Sequence, residues 1–147
     1  MNNKNNDIIS RLDKLCELME SGCYKYYNAN PKKRKTGDCV IRAICTALDK
    51  SWDDVLKDLT EYALKYKYSI ASEELYEIYL MDHKWIKHNK PCKRNKNGYI
   101  LKEWLKKHGE EAIVTIDSDH LTYVCNHIVY DIWDCTEQTV GNFWTKE

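Results

Sequence analysis

The chain is expected to fold as an α+β domain, helices first and an antiparallel sheet afterwards, and three observations carry that expectation. Apolar residues recur at helical spacing in successive segments through residue 105, with capping and stop signals between them. From Ala112 onward the pattern changes to short runs of strand-forming residues. No internal repeat or linker-like stretch divides the 147 residues, so 1–147 reads as one domain: an amphipathic helix and lead-in over 1–27, a helical part over 28–109 and a sheet over 110–147.

In chain order, Ile8, Ile9, Leu12, Leu15, Leu18 and Met19 mark a helix over residues 7–20 that Gly22 stops. Residues 28–37, NANPKKRKTG, combine Asn, Pro, Gly and a charge run and read as a loop. A helix starting at Cys39 follows, with Thr36 or Asp38 as its cap and Val40, Ile41, Ile44, Ala47 and Leu48 as its apolar face. Ser51 and Asp54 form a capping-box pattern ahead of Val55, Leu56, Leu59, Tyr62 and Ala63. Ser72 caps a third helix carried by Leu75, Tyr76, Tyr79 and Leu80. Residues 85–88 read as a short extended piece, and Ile100, Leu101, Trp104 and Leu105 as a short helix closed by Gly109. Strands are expected over 112–116, 120–124 and 127–133, the last two joined by a tight turn at Cys125 and Asn126.

Composition excludes several function classes. Lys plus Arg (23) balance Asp plus Glu (23), so no overall field draws the chain to nucleic acid or an anionic membrane. No apolar run approaches the ~20 residues a membrane-spanning helix needs. Seven cysteines without a Cys-x-x-Cys pair, behind an N-terminus lacking a signal-peptide core, suit the reducing cytoplasm. Cys92, Cys125, Cys135, His88 and His127 match no zinc spacing, and the five glycines form no phosphate loop, so no metal or cofactor is expected.

The chemistry concentrates on Cys39. A thiol at a helix start meets unpaired N–H groups and the positive end of the dipole, which favour its nucleophilic thiolate. With a two-residue turn at Cys125 and Asn126, His120 pairs directly with Asp131, so an acid can hold one imidazole nitrogen while the other faces the thiolate. A slip of one residue would instead set Asp131 opposite Thr122 and Trp133 opposite His120; Asp134 is the alternative orienting acid.

The order of a Cys at a helix start, a His opening a strand and an Asp on the next strand resembles the papain-like cysteine hydrolases, including the C39-type and NlpC-type peptidases. The stretches NPKKRKTGDCVIRAI, HLTYVCNHIVYDIWDC and TVGNFW are more closely similar to a group of small proteins from phages and low-GC Gram-positive bacteria assigned to that fold. The resemblance implies a papain-like domain in which Cys39 is the nucleophile, His120 the base and Asp131 the orienter, acting on a peptide or protein substrate as a peptidase or amidase. The same triad would serve transglutaminase- or deamidase-type acyl transfer. Where the plant enzymes carry an oxyanion-hole Gln, six residues before the Cys, this chain has Lys33. Asn30 or Asn28 is then the candidate donor beside the Cys39 N–H. Lys32, Lys33 and Arg34 would form a basic substrate rim. The alternative is a non-catalytic protein that keeps the fold and binds a phage or host partner.

Overall fold

The computed structural model of the chain describes residues 22–117 and 119–147, together with Asp7, Ile8 and Arg11. Those last three are helical; the remainder of the helix expected over 7–20 lies outside the described residues. In order, the described elements are β1 (Tyr24–Tyr26), α1 (Cys39–Leu48), α2 (Trp52–Tyr66), α3 (Glu73–Asp82), β2 (Trp85–His88), α4 (Leu101–Leu105), β3 (Glu111–Ile116), β4 (His120–Cys125), β5 (Ile128–Asp131) and β6 (Val140–Lys146).

The fold is α+β, built on a six-stranded sheet in the order β1-β5-β4-β3-β6-β2. It is mixed rather than antiparallel, because β1 runs parallel to β5 while the other pairs are antiparallel. Both edge strands come from before residue 110, so the division into a helical part and a C-terminal sheet is crossed at each edge. Strand alternation feeds two cores. Ile113, Leu121, Tyr123 and Trp144 join Ile44, Val55, Leu59, Leu75 and Leu80 of α1 to α3 on one face. Ala112, Val114, Ile116, Val124 and Val129 join Leu101, Trp104 and Leu105 of α4 on the other. β3 is buried on both faces, as its continuous apolar run requires.

Local chemistry sets the element ends. Ser51 Oγ accepts the Asp54 N–H at 3.0 Å, so the capping pattern read for α2 is realised. Ser72 stands at the N-cap of α3 but donates its hydroxyl to Ser69 O instead. Gly109 has φ +91°, and a Cβ there would lie 2.7 Å from Leu105 Cδ2, so only glycine fits this turn. Asn126 and His127 both adopt left-handed backbone (φ 51° and 65°), the mark of a type I′ hairpin turn.

That turn corrects the expected one by a residue. β4 and β5 pair Cys125 with Ile128, Val124 with Val129 and Tyr123 with Tyr130. Asn tolerates the left-handed region better than Cys does, and outside contacts hold the turn: the Asn126 N–H donates to Glu110 O, the His127 N–H to Gly109 O, and His127 Nδ1 lies 2.7 Å from both Leu105 O and His108 O. Among the described residues no helix is long and apolar enough to cross a membrane.

Candidate active site

Cys39 is the first residue of α1, with its side chain half-buried against the helical core. The opening N–H groups of a helix have no carbonyl one turn back to bond. Asp38, the N-cap residue, does not supply the missing acceptor, because its carboxylate turns away into a buried network. Burial pushes the Cys39 thiol up, but interaction with His120, the Leu121 backbone and the charge of Arg42 outweighs it and holds the pKa below the ordinary cysteine value.

His120 opens β4. Its Nε2 lies 2.6 Å from Asp131 Oδ2, and both the Cys39 and Cys135 thiols interact with the ring. Burial acts against the imidazolium, yet Asp131, Cys135 and Cys39 together push its pKa up to about 11. Burial also raises Asp131, and His120, Thr122 and Arg42 bring it below the usual carboxylate range. The two shifts run in opposite directions, the thiol down and the imidazole up, so each group favours the charged form of the other.

His120 and Asp131 meet diagonally, not as directly opposed partners. The β4–β5 ladder ends at Tyr123 and Tyr130, and one step further Thr122 stands opposite Asp131, its hydroxyl donating to Oδ2 at 2.7 Å. Trp133, two residues beyond Asp131, lies with its ring centroid 5.1 Å from that of His120. Its indole Nε1–H points at His120 Nε2 from 3.2 Å, the same nitrogen that meets Asp131.

Beneath the pair lies a buried ionic chain. Arg42 Nη1 donates to Asp131 Oδ1 at 2.9 Å and Arg42 Nε to Asp38 Oδ1 at 2.8 Å, with all three side chains no more than 7% exposed. Asp38 Oδ2 accepts from Asn30 Nδ2 and from Trp52 Nε1, each at 3.0 Å. Asp131 therefore receives Arg42 and the Ile132 N–H on one oxygen, and His120 and Thr122 on the other. Every side of the carboxylate is held, which fixes the imidazole it orients.

The other expected residues take different places. Asn28 and Asn30 are 3% and 5% exposed, and their amides brace the loop: Asn28 Nδ2 donates to Arg34 O, Asn28 Oδ1 accepts the Asn30 N–H, and Asn30 Oδ1 accepts the Lys32 N–H. Groups so buried and engaged are structural supports, not donors presented to a substrate oxygen. Lys32, Lys33 and Arg34 are exposed on that braced loop, with Lys33 Nζ tied back to Asn28 O. Asp134 Oδ1 accepts the N–H and hydroxyl of Thr136, which leaves Asp131 as the acid on His120. Arg42, Thr122, Trp133 and Cys135 enter the site beyond those expected. Arg42 had a signal, a cation inside the otherwise apolar Val40-Ile41-Arg42-Ala43-Ile44.

Cys135 is completely buried, and burial raises its thiol pKa, which distinguishes it from Cys39. Its sulfur, a His120 nitrogen and an Asp131 oxygen lie within 4.8 Å of one another, a grouping able to hold a metal ion. A metal would have to displace donors already on Asp131, so the arrangement present is that of a hydrogen-bonded acid. Comparison of the chain with protein-family models, with curated proteins and with solved structures finds no match.

Proposed function

We propose that the chain is a cysteine-dependent hydrolase with a papain-like arrangement, a peptidase or amidase acting through Cys39, His120 and Asp131. The observation that carries this reading is the His120–Asp131 bond of 2.6 Å, made by a buried, fully engaged carboxylate, beside a helix-start thiol of lowered pKa.

The Cys39 thiolate attacks the acyl carbon, forming a C–S bond as the carbonyl electrons move to oxygen. His120 passes a ring proton to the leaving nitrogen as the C–N bond breaks, giving an amine, a thioester and a neutral imidazole. The imidazole then takes a proton from water as the water oxygen bonds the acyl carbon. The C–S bond breaks, the acid departs, and thiolate and imidazolium are restored. The Cys39 N–H, at the first position of α1, would serve as a backbone donor to the developing oxyanion. An amine in place of water would make the second half an acyl transfer.

The commitment of the Asn28 and Asn30 amides to the loop favours one second reading, a binding protein that keeps this architecture without turnover. A thiol-directed acyloxymethyl ketone decides between them. Labelling of the wild type that is lost in both Cys39→Ala and His120→Ala supports the hydrolase. A folded wild type that Cys39 leaves unlabelled supports the binding protein.

A further inference from the structure

The balanced total charge conceals a local separation. Residues 22–37 hold Lys25, Lys32, Lys33, Arg34 and Lys35 and no acid. The next residue, Asp38, is buried and paired with Arg42, so it does not offset them. All five cations are exposed, and among the described residues none is paired with a carboxylate. Tyr24, Tyr26 and Tyr27 are interleaved in the same stretch.

The fold sets this stretch beside an aromatic groove. β1 is an edge strand, hydrogen-bonded to β5. Register places Lys25 opposite Tyr130 and Tyr130 opposite Tyr123, so the three share one face in a row across β1, β5 and β4. With Tyr27, Thr46 and Cys125 they line an open groove of about 430 Å³. Tyr27 is 44% exposed, its ring perpendicular to that of Tyr130 with centroids 6.5 Å apart, and Tyr123 follows Tyr130 at 6.4 Å. The Tyr123 hydroxyl donates to Glu111 Oε2 at 3.0 Å, and Lys146 Nζ stands 2.6 Å from Glu111 Oε1, so the acid bonded to this wall carries its own counter-charge.

The loop cations are held next to these rings. Lys33 Nζ donates to Asn28 O at 2.8 Å, one residue past Tyr27, and Lys35 Nζ lies 6.0 Å from the centre of the Tyr26 ring, which packs on the other core. The buried amides of Asn28 and Asn30 fix the backbone between them, Asn28 Nδ2 on Arg34 O at 3.1 Å and Asn30 Oδ1 on the Lys32 N–H at 2.9 Å. A loop already ordered loses little conformational freedom when a ligand binds. The two asparagines, which the proposed chemistry does not use, thereby set the spacing of a charged array. Thr46 lies seven residues beyond Cys39 on α1, ~10 Å along the helix axis, so the groove is separate from the candidate nucleophile.

We propose that this edge of the sheet binds single-stranded nucleic acid, with bases on Tyr27 and Tyr130 and phosphates on Lys25, Lys32, Lys33 and Arg34. Neighbouring cations beside flat rings call for a ligand with a charge and a planar face at every unit, which a single strand supplies and an acidic peptide does not. The surface is independent of turnover at Cys39. The test is fluorescence anisotropy of the full chain with fluorescein-labelled deca-thymidylate and deca-uridylate. Saturable binding of at least one strand is expected, weakening roughly 20- to 50-fold between about 50 and 200 mM salt, as three or four neutralised phosphates require. Tyr27→Ala should weaken binding at least about fivefold at each salt concentration, and Tyr27→Phe should restore it, because stacking is lost in one and kept in the other. Lys32→Ala combined with Arg34→Ala changes two residues whose backbones, not side chains, are held by Asn28 and Asn30. That pair should flatten the slope of log affinity against log salt by about 1.4 and leave Tm unchanged. No saturable binding at about 50 mM salt, full affinity in Tyr27→Ala, or a duplex of the same length binding as tightly as the single strand would each overturn the assignment. Displacement of the strand by an equimolar deca-glutamate peptide would overturn it in favour of an acidic protein partner.

Discussion

Replacing Arg42 by Met tests whether the ionic chain under the site is what holds it. Met occupies similar space, so the change removes charge and hydrogen bonds more than volume. Two charge-assisted bonds disappear, to Asp131 Oδ1 and to Asp38 Oδ1, and both carboxylates stay buried. Stripping one partner from a buried ion pair costs about 3–5 kcal/mol. Here each acid keeps other donors, Asn30 and Trp52 on Asp38 and His120, Thr122 and the Ile132 N–H on Asp131, so nothing argues for more. At about 2–4 °C per kcal/mol for a domain of this size, Tm should fall by roughly 6–20 °C. Both acids sit below their ordinary pKa, so the stability they supply is present above about pH 4 and lost as pH falls through the depressed values. Arg42→Met should therefore flatten the acid side of the stability-pH curve as well as lower it. Arg42→Lys should recover only part of the loss, because one ammonium cannot reproduce the Nε and Nη1 fork. Urea melts from about pH 3 to pH 7 on the three proteins provide the measurement. A loss under about 1 kcal/mol, with an unchanged acid limb, would refute the assigned role.

Two further outcomes follow from the pKa shifts. Brief iodoacetamide treatment near neutral pH should modify Cys39 before Cys45 or Cys135, since burial raises both of the latter while His120 lowers the former; peptide mass mapping reads the order, and faster loss of Cys45 or Cys135 contradicts it. For His120, raised to about 11, the stabilising proton is fully retained below about pH 6.5 and lost as pH rises through about 11. Asp131→Asn removes its main ionic partner, so the alkaline decline in urea midpoint should be shallower than in the wild type, and acyl-probe labelling slower but not abolished. Parallel curves would show that Asp131 does not set the His120 charge.

Where the sequence was legible, local chemistry and tertiary structure agreed. The Ser51 cap, the apolar stripe of α1 and the core strands β3 and β4 follow from periodicity and side-chain type. β6 was not legible as a strand because the Gly141-Asn142 irregularity breaks its alternation, and β1 was not because three residues in a polar stretch are paired only by β5. The loop amides illustrate a different gap. Asn28 and Asn30 have donors suited to an oxyanion, but composition cannot reveal that Asp38 and the loop carbonyls claim them first.

The one-residue register difference carries the deeper lesson about the site. Had His120 and Asp131 been directly opposed, Thr122 would have faced Val129, and the carboxylate would have lost its hydroxyl donor. In the observed register the short diagonal still lets Nε2 reach Oδ2 at 2.6 Å, while Thr122 takes the opposed position and pins the same oxygen. Trp133 follows, carried by the same slip to the outer side of the imidazole. The ladder stops at Tyr123 and Tyr130, and there Arg42 bonds the other oxygen of Asp131. A turn fixed by Asn126 and His127 at the far end of the hairpin thus determines which side chains surround the candidate base. Moving that turn by one residue would leave Cys39, His120 and Asp131 all present in the sequence, yet would take Thr122 away from the acid and Trp133 away from the imidazole.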